Sequence, residues 1–479
     1  MKKRSVISTL FTAVAASAML FVTSCGGKSS GAPTLIWWQI GSSKSGFEKH
    51  MKTISAYTEE KIGVRVDIKQ AGWGDASQRF TTMVNAGEYY DIMFTDASSY
   101  NRFVGLGAFA DLSEFVQTET PALYEYIPES LWDGVRVKGK IYAVPTYKDS
   151  ARTVFGFWDD AIVQKYGINI EDSSWRSLDT AFRKIKEGEG GRYYPMILAR
   201  GENTFAFENY DPISADLPPI GVKLTDTNHK VVNTLEQADV LEAFTYLHKW
   251  YEDEIINPDA NMVDETPKYR PFFLAQAWPM VAGSYATTMG IPKVVSAKFS
   301  GPTYSTDSIQ GSLTAISANS KYQKEALKLI ELVNTDTKLR DMIAYGIEGT
   351  HFSYVTKEDG TKAVHRDSTD WPLINYQEGT FFTETPEDNV PTGYWEEVKG
   401  LNEAASNSVM LGFMLDLEPI QAEIINCRSV WGKYYIDLKM GVSDPATMIP
   451  QVMSELKAAG FDKVLEEAQR QVDEFFAKQ

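Results

Sequence analysis

The chain has 479 residues, 43% of them hydrophobic and 12% aromatic, which excludes an intrinsically disordered protein and suits two or three domain-sized cores. Its formal net charge of −17 argues against nucleic acid or an anionic surface as a partner, because binding to phosphates requires a basic face. The same charge favours a neutral or cationic ligand. Two cysteines, Cys25 and Cys427, are too few for a disulfide framework.

The first 24 residues have the parts of a secretory signal peptide: a cationic start, a short apolar stretch and a small residue before the cut. Residues 21–25 (Phe-Val-Thr-Ser-Cys) resemble the bacterial lipobox, in which the cysteine becomes the first mature residue and carries acyl groups. We therefore expect a lipid on Cys25, a flexible tether over residues 25–33, and a location on the extracytoplasmic face of the cell membrane. An ordinary signal peptide with an incidental cysteine is the alternative.

Strand and helix patterns alternate after the tether. An apolar run at residues 35–38 predicts a strand, apolar residues at helical spacing over 47–57 predict a helix, and the alternation over 64–68 predicts a second strand. A polar helical segment over 75–86 then leads to the apolar run 90–94. This order implies right-handed crossovers between parallel strands, so the first domain is predicted to be α/β.

The rest of the chain predicts further strands and helices. Examples are an apolar strand at residues 279–283, a helix from Lys324, and a mostly helical stretch over 445–478. Two lobes with more than one crossing between them suit this length best. The expected organisation is a signal peptide at 1–24, a tether at 25–33, a first α/β lobe at 34–146 plus about 306–350, and a second at 147–305 plus about 351–479 with a helical C-terminal region.

No catalytic constellation emerges from the sequence. The five histidines lie far apart, with no His-Glu-x-x-His and no cysteine pair, so we expect no metal site. Residues 105–110 match the dinucleotide pattern Gly-x-Gly-x-x-Ala but lack the flanking strand and helix, so we expect a turn and no cofactor. With 64 acidic residues, the two carboxylates of a glycosidase stay possible, although no pair stands out.

Aromatic residues beside small polar ones recur at predicted strand ends. Ligands of open α/β sheets bind beyond the carboxyl ends of the strands, and sugars suit such sites because their CH faces pack on aromatic rings. Adjacent Trp37 and Trp38 on one strand must face opposite sides, so at most one faces a cleft. The candidate ligand-binding residues are Trp38, Gln39, Asp96, Tyr147, Lys148, Trp278, Tyr285 and Trp395.

Three segments resemble a known family: residues 345–352 (Tyr-Gly-Ile-Glu-Gly-Thr-His-Phe), 411–420 and 455–464. They are similar to the extracellular solute-binding proteins of bacterial ABC importers, and within these to the carbohydrate-binding lipoproteins of the LipO-like group. Residues 145–149 (Pro-Thr-Tyr-Lys-Asp) also resemble a family segment, but Tyr147 replaces a polar residue and Asp149 replaces a glutamate.

The resemblance implies a periplasmic-binding-protein-like α/β fold. Each of its two lobes would be a mainly parallel sheet flanked by helices, and a hinge would join the lobes. An oligosaccharide would be enclosed between them by hinge closure and handed to the membrane permease of an ABC importer, with no catalysis by this chain and no cofactor. Gly346, Glu348 and Gly349 are expected to form a hinge or structural motif, and the protein is expected to be a monomer.

Two other functions stay open from the residues alone. One is an exported glycan-degrading hydrolase. The other is a binding protein of the same fold for a different solute, such as a peptide, a polyamine or ferric ion. Ferric sites commonly use paired tyrosines, and the chain has three adjacent tyrosine pairs, at residues 89–90, 193–194 and 434–435.

Overall fold

The computed structural model describes residues 31–214 and 217–478. The predicted signal peptide and Cys25 lie outside the described residues. Residues from Pro33 onward form one compact unit. In the described part of the chain, no helix is both long enough and apolar enough to cross a membrane.

The strands are β1 (Thr34–Ile40), β2 (Arg65–Ala71), β3 (Ile92–Thr95), β4 (Arg136–Val137), β5 (Lys140–Ile141), β6 (Ala143–Pro145), β7 (Arg152–Asp159), β8 (Tyr210–Pro212), β9 (Ile220–Lys223), β10 (Val231–Asn233), β11 (Phe272–Gln276), β12 (Val294–Tyr304), β13 (Leu313–Ile316), β14 (Phe352–Thr356), β15 (Lys362–Arg366) and β16 (Ser406–Asn407).

The α-helices are α1 (Phe47–Ile62), α2 (Ala76–Ala86), α3 (Tyr100–Gly105), α4 (Phe115–Thr118), α5 (Pro121–Tyr126), α6 (Glu129–Gly134), α7 (Asp160–Tyr166), α8 (Trp175–Glu189), α9 (Ala238–Glu252), α10 (Ala282–Met289), α11 (Thr306–Ile309), α12 (Gln323–Thr335), α13 (Thr337–Tyr345), α14 (Tyr394–Glu403), α15 (Gln421–Lys439), α16 (Pro445–Ala458) and α17 (Phe461–Phe476). Short 3-10 helices cover Thr234–Glu236, Pro279–Val281, Asn375–Gln377 and Glu418–Ile420.

The first sheet has the strand order β2-β1-β3-β13-β6. Strand β1 pairs in parallel with β2 and β3, as the alternating pattern of strands and helices predicted. The carboxyl ends of these three strands therefore share one edge of the sheet. Strand β13 runs antiparallel to both β3 and β6, because β6 leads the chain out of this sheet and β13 leads it back.

The second sheet has the order β11-β7-β12-β16, and β7 runs antiparallel to both β11 and β12. The prediction of a mainly parallel sheet in each lobe is corrected here. Strand β7 carries the chain away from the first sheet and β12 brings it back, so these neighbours must run in opposite directions. An apolar run in the sequence indicates a strand without indicating its direction.

Separate hydrophobic cores surround the two sheets. The first draws on residues 35–151, 304–343 and 371–373, and the second lies on one face of the second sheet with the C-terminal helices. A smaller third cluster covers the other face of the second sheet, where Phe157 and Phe273 pack beneath helix α10. The lobe boundaries given above stay a prediction, whereas the mixed α/β architecture is confirmed.

Candidate functional site

A cavity of about 300 Å³ lies where the segment leading into α10 and the start of α14 approach residues 375–390. Its first wall is aromatic. The ring centroid of Trp278 lies 5.3 Å from that of Tyr394 and 6.0 Å from that of Trp395, and Phe381 lies 4.9 Å from Trp395. The backbone N–H of Met280 donates to the Glu397 carboxylate at 2.7 Å and so holds the two tryptophan-bearing segments together.

Two indole N–H groups in this wall lack a well-formed hydrogen bond within the part of the chain that the structure describes. The Nε1 atoms of Trp278 and Trp395 are buried, and neither makes a hydrogen bond of normal geometry among the described residues; the nearest approach is that of the Trp278 N–H to the Tyr394 hydroxyl. A buried donor left without a partner costs about 1–3 kcal/mol, so such groups ordinarily find one. A movement of this wall on ligand entry would bring both donors within reach of hydroxyl or carbonyl oxygens.

The opposite wall is polar, with Asn375, Glu384, Glu387 and Asn389. Burial raises the pKa of the Glu384 carboxyl and that of the Glu387 carboxyl. Of the described residues that line the cavity, none is lysine, arginine or histidine. The cavity therefore presents acceptors and carboxylates, a lining that suits a neutral, hydroxyl-rich molecule better than an anionic one.

Helix α13 positions this polar wall. Arg340, which is fully buried, donates from Nε to the Thr380 carbonyl at 2.7 Å and from Nη2 to Glu384 at 2.9 Å. The Tyr345 hydroxyl donates to the other Glu384 oxygen at 2.8 Å. The irregular segment that forms the wall is thus clamped onto a helix of the first core, and Glu384 is oriented before any ligand arrives.

Two of the candidate residues, Trp278 and Trp395, lie in the cavity. Tyr285 lies next to the lining residue Ser284, but its ring packs 4.9 Å from Phe157 and is half-buried against the second sheet. These are the candidates that the structure brings together. Whether they contact a ligand stays a prediction.

Two candidates lie on the crossing between the sheets, the segment 146–151 that joins β6 to β7. Tyr147 is buried, with its ring 4.5 Å from that of Phe382, next in the chain to the lining residue Phe381. Lys148 forms an ion pair with Asp149 at 2.7 Å. Both residues are used in internal contacts of the crossing.

The remaining candidates lie around the first sheet. The Arg79 guanidinium lies over the Trp38 ring, 4.9 Å from the ring centroid. Trp38 is therefore on the face of the first sheet that α2 covers. Gln39 is fully buried, and its side-chain amide has no hydrogen-bond partner in the described part of the chain. Asp96 accepts the Ser98 N–H at 3.1 Å and so stabilises the turn before α3.

The segment after α13 contains the three motif residues. Gly346 is buried with φ +101°, and a Cβ at this position would lie 2.7 Å from the His351 ring. Glu348 is exposed, and Gly349, with φ +75°, has open space around it. The motif therefore forms the turn into β14, and its role as a hinge stays a prediction.

Sequence reasoning missed Asn375, Phe381, Glu384, Glu387 and Tyr394 as lining residues. They lie in or beside an irregular stretch with no strand end to draw attention to it. The available signal was the density of aromatic and polar residues over 376–395. Among the described residues, no group of three or more His, Cys, Asp or Glu is placed to hold a metal ion.

Comparisons with known proteins agree with this architecture. A family model described as bacterial extracellular solute-binding protein matches residues 39–338, and a domain of unknown function, DUF3502, matches residues 409–477. A carbohydrate ABC transporter substrate-binding protein of Streptococcus pneumoniae serotype 4 is 28% identical, over 92% of this chain and 91% of its own length.

Solved structures show the same likeness. The N-glycan transport solute binding protein of Streptococcus pneumoniae matches with a TM-score of 0.82 and 26% identity, over 92% of this chain and 99% of that chain. Its complex with Man5GlcNAc matches with a TM-score of 0.73 and 26% identity, over 93% of this chain and 99% of that chain. The two-lobed α/β fold predicted from the sequence is confirmed.

Proposed function

Because the chain belongs to the bacterial extracellular solute-binding protein family, we propose that it captures a short neutral oligosaccharide in the Trp278–Trp395 cavity and delivers it to an ABC importer. Membership of this family confirms the predicted binding role in place of an enzymatic one, and it agrees with a location outside the cytoplasm. The ligand, the delivery step and the lipid anchor are the parts that we propose.

The observation that carries the proposal is the pair of buried indole N–H groups in an aromatic wall. A sugar ring offers a CH face that packs on an indole and hydroxyl oxygens that accept its N–H. Trp278 and Trp395 supply both kinds of contact, while Asn375 opposite them can bond to further hydroxyls. The similarity to carbohydrate- and N-glycan-binding relatives supports the same class of ligand.

The charge of the cavity supports a neutral ligand. Glu384 already has a counter-charge in Arg340, and the half-buried Glu387 has Arg366 near it, although neither arginine lines the cavity. An anionic sugar brought into this space would be repelled by these carboxylates at reduced dielectric, which strengthens like-charge repulsion. We therefore expect uncharged glycans to bind more tightly than glycans capped with a carboxylate.

Closure of the two lobes on the ligand is the proposed working step. Trp278 follows a strand of the second sheet, whereas Glu384 is clamped to a helix of the first core, so one ligand can contact both. A ligand shifts an open–closed equilibrium only by binding the closed form more tightly.

The lipid on Cys25 would keep this carrier beside its permease. A Gly- and Ser-rich tether then leaves the binding unit free to reorient, and each buried methylene of the acyl chains contributes about 0.8 kcal/mol to anchoring. Replacement Cys25→Ala should release the protein from membranes of an expressing cell and leave glycan affinity unchanged. Protein that stays with the membrane fraction would contradict the anchor.

A thermal-shift screen of the purified protein against a panel of neutral and acidic glycans tests the binding function. A ligand at 100 times its dissociation constant stabilises a protein by about 2.7 kcal/mol, which is readily detected. We expect neutral oligosaccharides, with Man5GlcNAc as the first probe, to raise the melting temperature. A panel of mono- to decasaccharides that produces no shift would overturn the proposal.

A further inference from the structure

Trp73 is the only tryptophan among the exposed large hydrophobic side chains of the described residues, with 60% of its surface exposed. It lies on the loop between β2 and α2. Tryptophan has 150–250 Å² of surface to bury and dominates the energetics of many binding sites. So exposed an indole on a binding protein is available to contact a ligand or a partner.

The loop that carries Trp73 is a defined turn. Glycines flank it on both sides, and the Gly72 carbonyl accepts the N–H groups of Asp75 at 2.9 Å and Ala76 at 2.8 Å. These two bonds lead directly into the first turn of α2. The indole is therefore presented by an ordered backbone, which lowers the entropy cost of binding to it.

Trp73 lies at the edge of the first sheet where ligands of such sheets bind. It follows β2, which runs parallel to β1, and the N–H of Gly41 just beyond β1 donates to the Ala71 carbonyl at 2.8 Å. Ser43, also beyond β1, donates from its hydroxyl to the side-chain oxygen of Gln70 at 3.1 Å. The carboxyl edge thus carries an open aromatic face with polar side chains beside it.

This edge leads to the cavity. The side chain of Gln70 donates to the Pro372 carbonyl at 3.1 Å, and the Gln377 side chain bonds to the backbone N–H and carbonyl of Ile40 at 2.8 and 3.0 Å. The segment 372–377 therefore runs along the edge, and it contains the cavity residue Asn375. The reach of the chain between these contacts places Trp73 within roughly 30 Å of Asn375.

We propose that Trp73 is a second stacking platform, which binds the outer sugar residues of a longer neutral oligosaccharide whose other end occupies the Trp278–Trp395 cavity. This inference rests on the proposed function and adds a preference for longer glycans. We expect a disaccharide in the cavity to lie short of Trp73. Each additional residue that extends along the carboxyl edge brings the glycan nearer to the indole, so Trp73 acts on long ligands alone.

Titration calorimetry with two glycans of different length tests the inference. We expect Trp73→Ala to weaken the binding of Man5GlcNAc about tenfold and to leave the affinity for Man1GlcNAc unchanged. Trp73→Phe should retain most of the affinity, because it keeps an aromatic face. Met262→Ala, which removes a side chain of 67% exposure from the second core's side of the molecule, is the matched control and should change neither affinity.

Equal affinities of Trp73→Ala and wild type for both glycans would overturn the inference while leaving the cavity intact. The inference would also be overturned if Trp73→Ala lowered the affinity for both glycans by the same factor. Loss of uptake into cells with both affinities unchanged would overturn it too, because that result would assign Trp73 to permease docking. Failure of the wild-type protein to bind these two glycans and every other glycan of the thermal-shift panel would instead overturn the proposed function. The melting temperature of each variant, measured without ligand, separates lost binding from lost folding.

Discussion

Nη2 of Arg340 lies 2.9 Å from Oε2 of Glu384, and these side chains expose 0% and 2% of their surfaces. Because Glu384 also lines the cavity, this buried ion pair joins helix α13 to the wall of the site. The pair therefore serves both stability and the orientation of the polar wall.

Replacement Glu384→Gln should destabilise the protein strongly. It removes the carboxylate that accepts from Arg340 and leaves near that charge the buried carboxyl of Glu378, whose pKa burial raises to about 8. Breaking a buried pair in this way costs about 3–5 kcal/mol. Urea unfolding measures the loss. Glu59→Gln is the matched control, because its partner Arg65 is nearly half-exposed, and such surface pairs contribute about 0–1 kcal/mol. Similar losses for the two variants would contradict the stabilising role assigned to Arg340.

Substitution of the cavity tryptophans should lower glycan affinity, whereas substitution of Trp38 should not. Trp278→Ala or Trp395→Ala removes a stacking face and an N–H donor, and we expect each to weaken glycan binding about tenfold to a hundredfold, or about 1.4–2.8 kcal/mol. Trp38→Ala should leave affinity unchanged, since Trp38 packs beneath Arg79. Titration calorimetry decides the question. Loss of affinity in Trp38→Ala with none in Trp278→Ala would support the strand end of β1 as the site instead.

Gly346 and Gly349 should differ in their tolerance of a side chain. Gly346→Ala forces an unfavourable backbone region and pushes a Cβ into the His351 ring, so we expect a loss of about 2–3 kcal/mol. Gly349→Ala meets open space and should cost about 1–2 kcal/mol, the left-handed backbone penalty alone. Chemical denaturation of both variants measures the difference. Equal losses would show that the contact with His351 is unimportant.

His351 and His365 should give opposite pH dependences of stability. His351 accepts the Ile347 N–H at Nδ1, and its pKa is lowered by burial and by nearby His50 and Arg366. Its contribution is therefore present above the unfolded pKa of about 6.5 and is lost as the pH falls through the lower folded value.

The pKa of His365 is raised by its hydrogen bond to Asp388, so its contribution is present at low pH and lost as the pH rises through the folded value. Unfolding free energies of His351→Asn and His365→Asn between pH 5 and pH 8 should diverge from wild type in opposite directions. Asn at 351 keeps an acceptor that does not titrate, so this variant should lose less stability than wild type on acidification. A shift of the same sign in both variants would contradict these assignments.

Several elements of the first sheet were predictable because the sequence periodicity is local. The alternation over 64–68 and the helical spacing over 47–57 reappear as β2 and α1, and Gly63 with φ +69° caps the C-terminus of α1. Strand direction was not predictable in the second sheet, since it depends on how β7 and β12 carry the chain between the sheets.

The cavity itself could not be predicted, because it is assembled from segments far apart in sequence. Trp278 and Trp395 meet across more than a hundred residues, and the wall that opposes them is irregular. Strand-end position was informative for Asp96, which follows β3 at the carboxyl edge, but it did not single out Trp73 after β2. It also did not reveal that the face of β1 bearing Trp38 is covered by α2. Side-chain convergence of this kind follows from tertiary packing alone.

Hydrogen–deuterium exchange with and without a saturating neutral oligosaccharide tests the central claim most directly. The account predicts slower exchange on ligand addition at two separate segments, residues 278–289 and 375–395, because the ligand bridges them and closes the lobes. Helix α16, which contributes no residue to the cavity, should exchange equally in both samples. Unchanged exchange in the two segments with a bound glycan, or protection confined to one of them, would contradict a ligand held between the tryptophan wall and the wall that Arg340 supports.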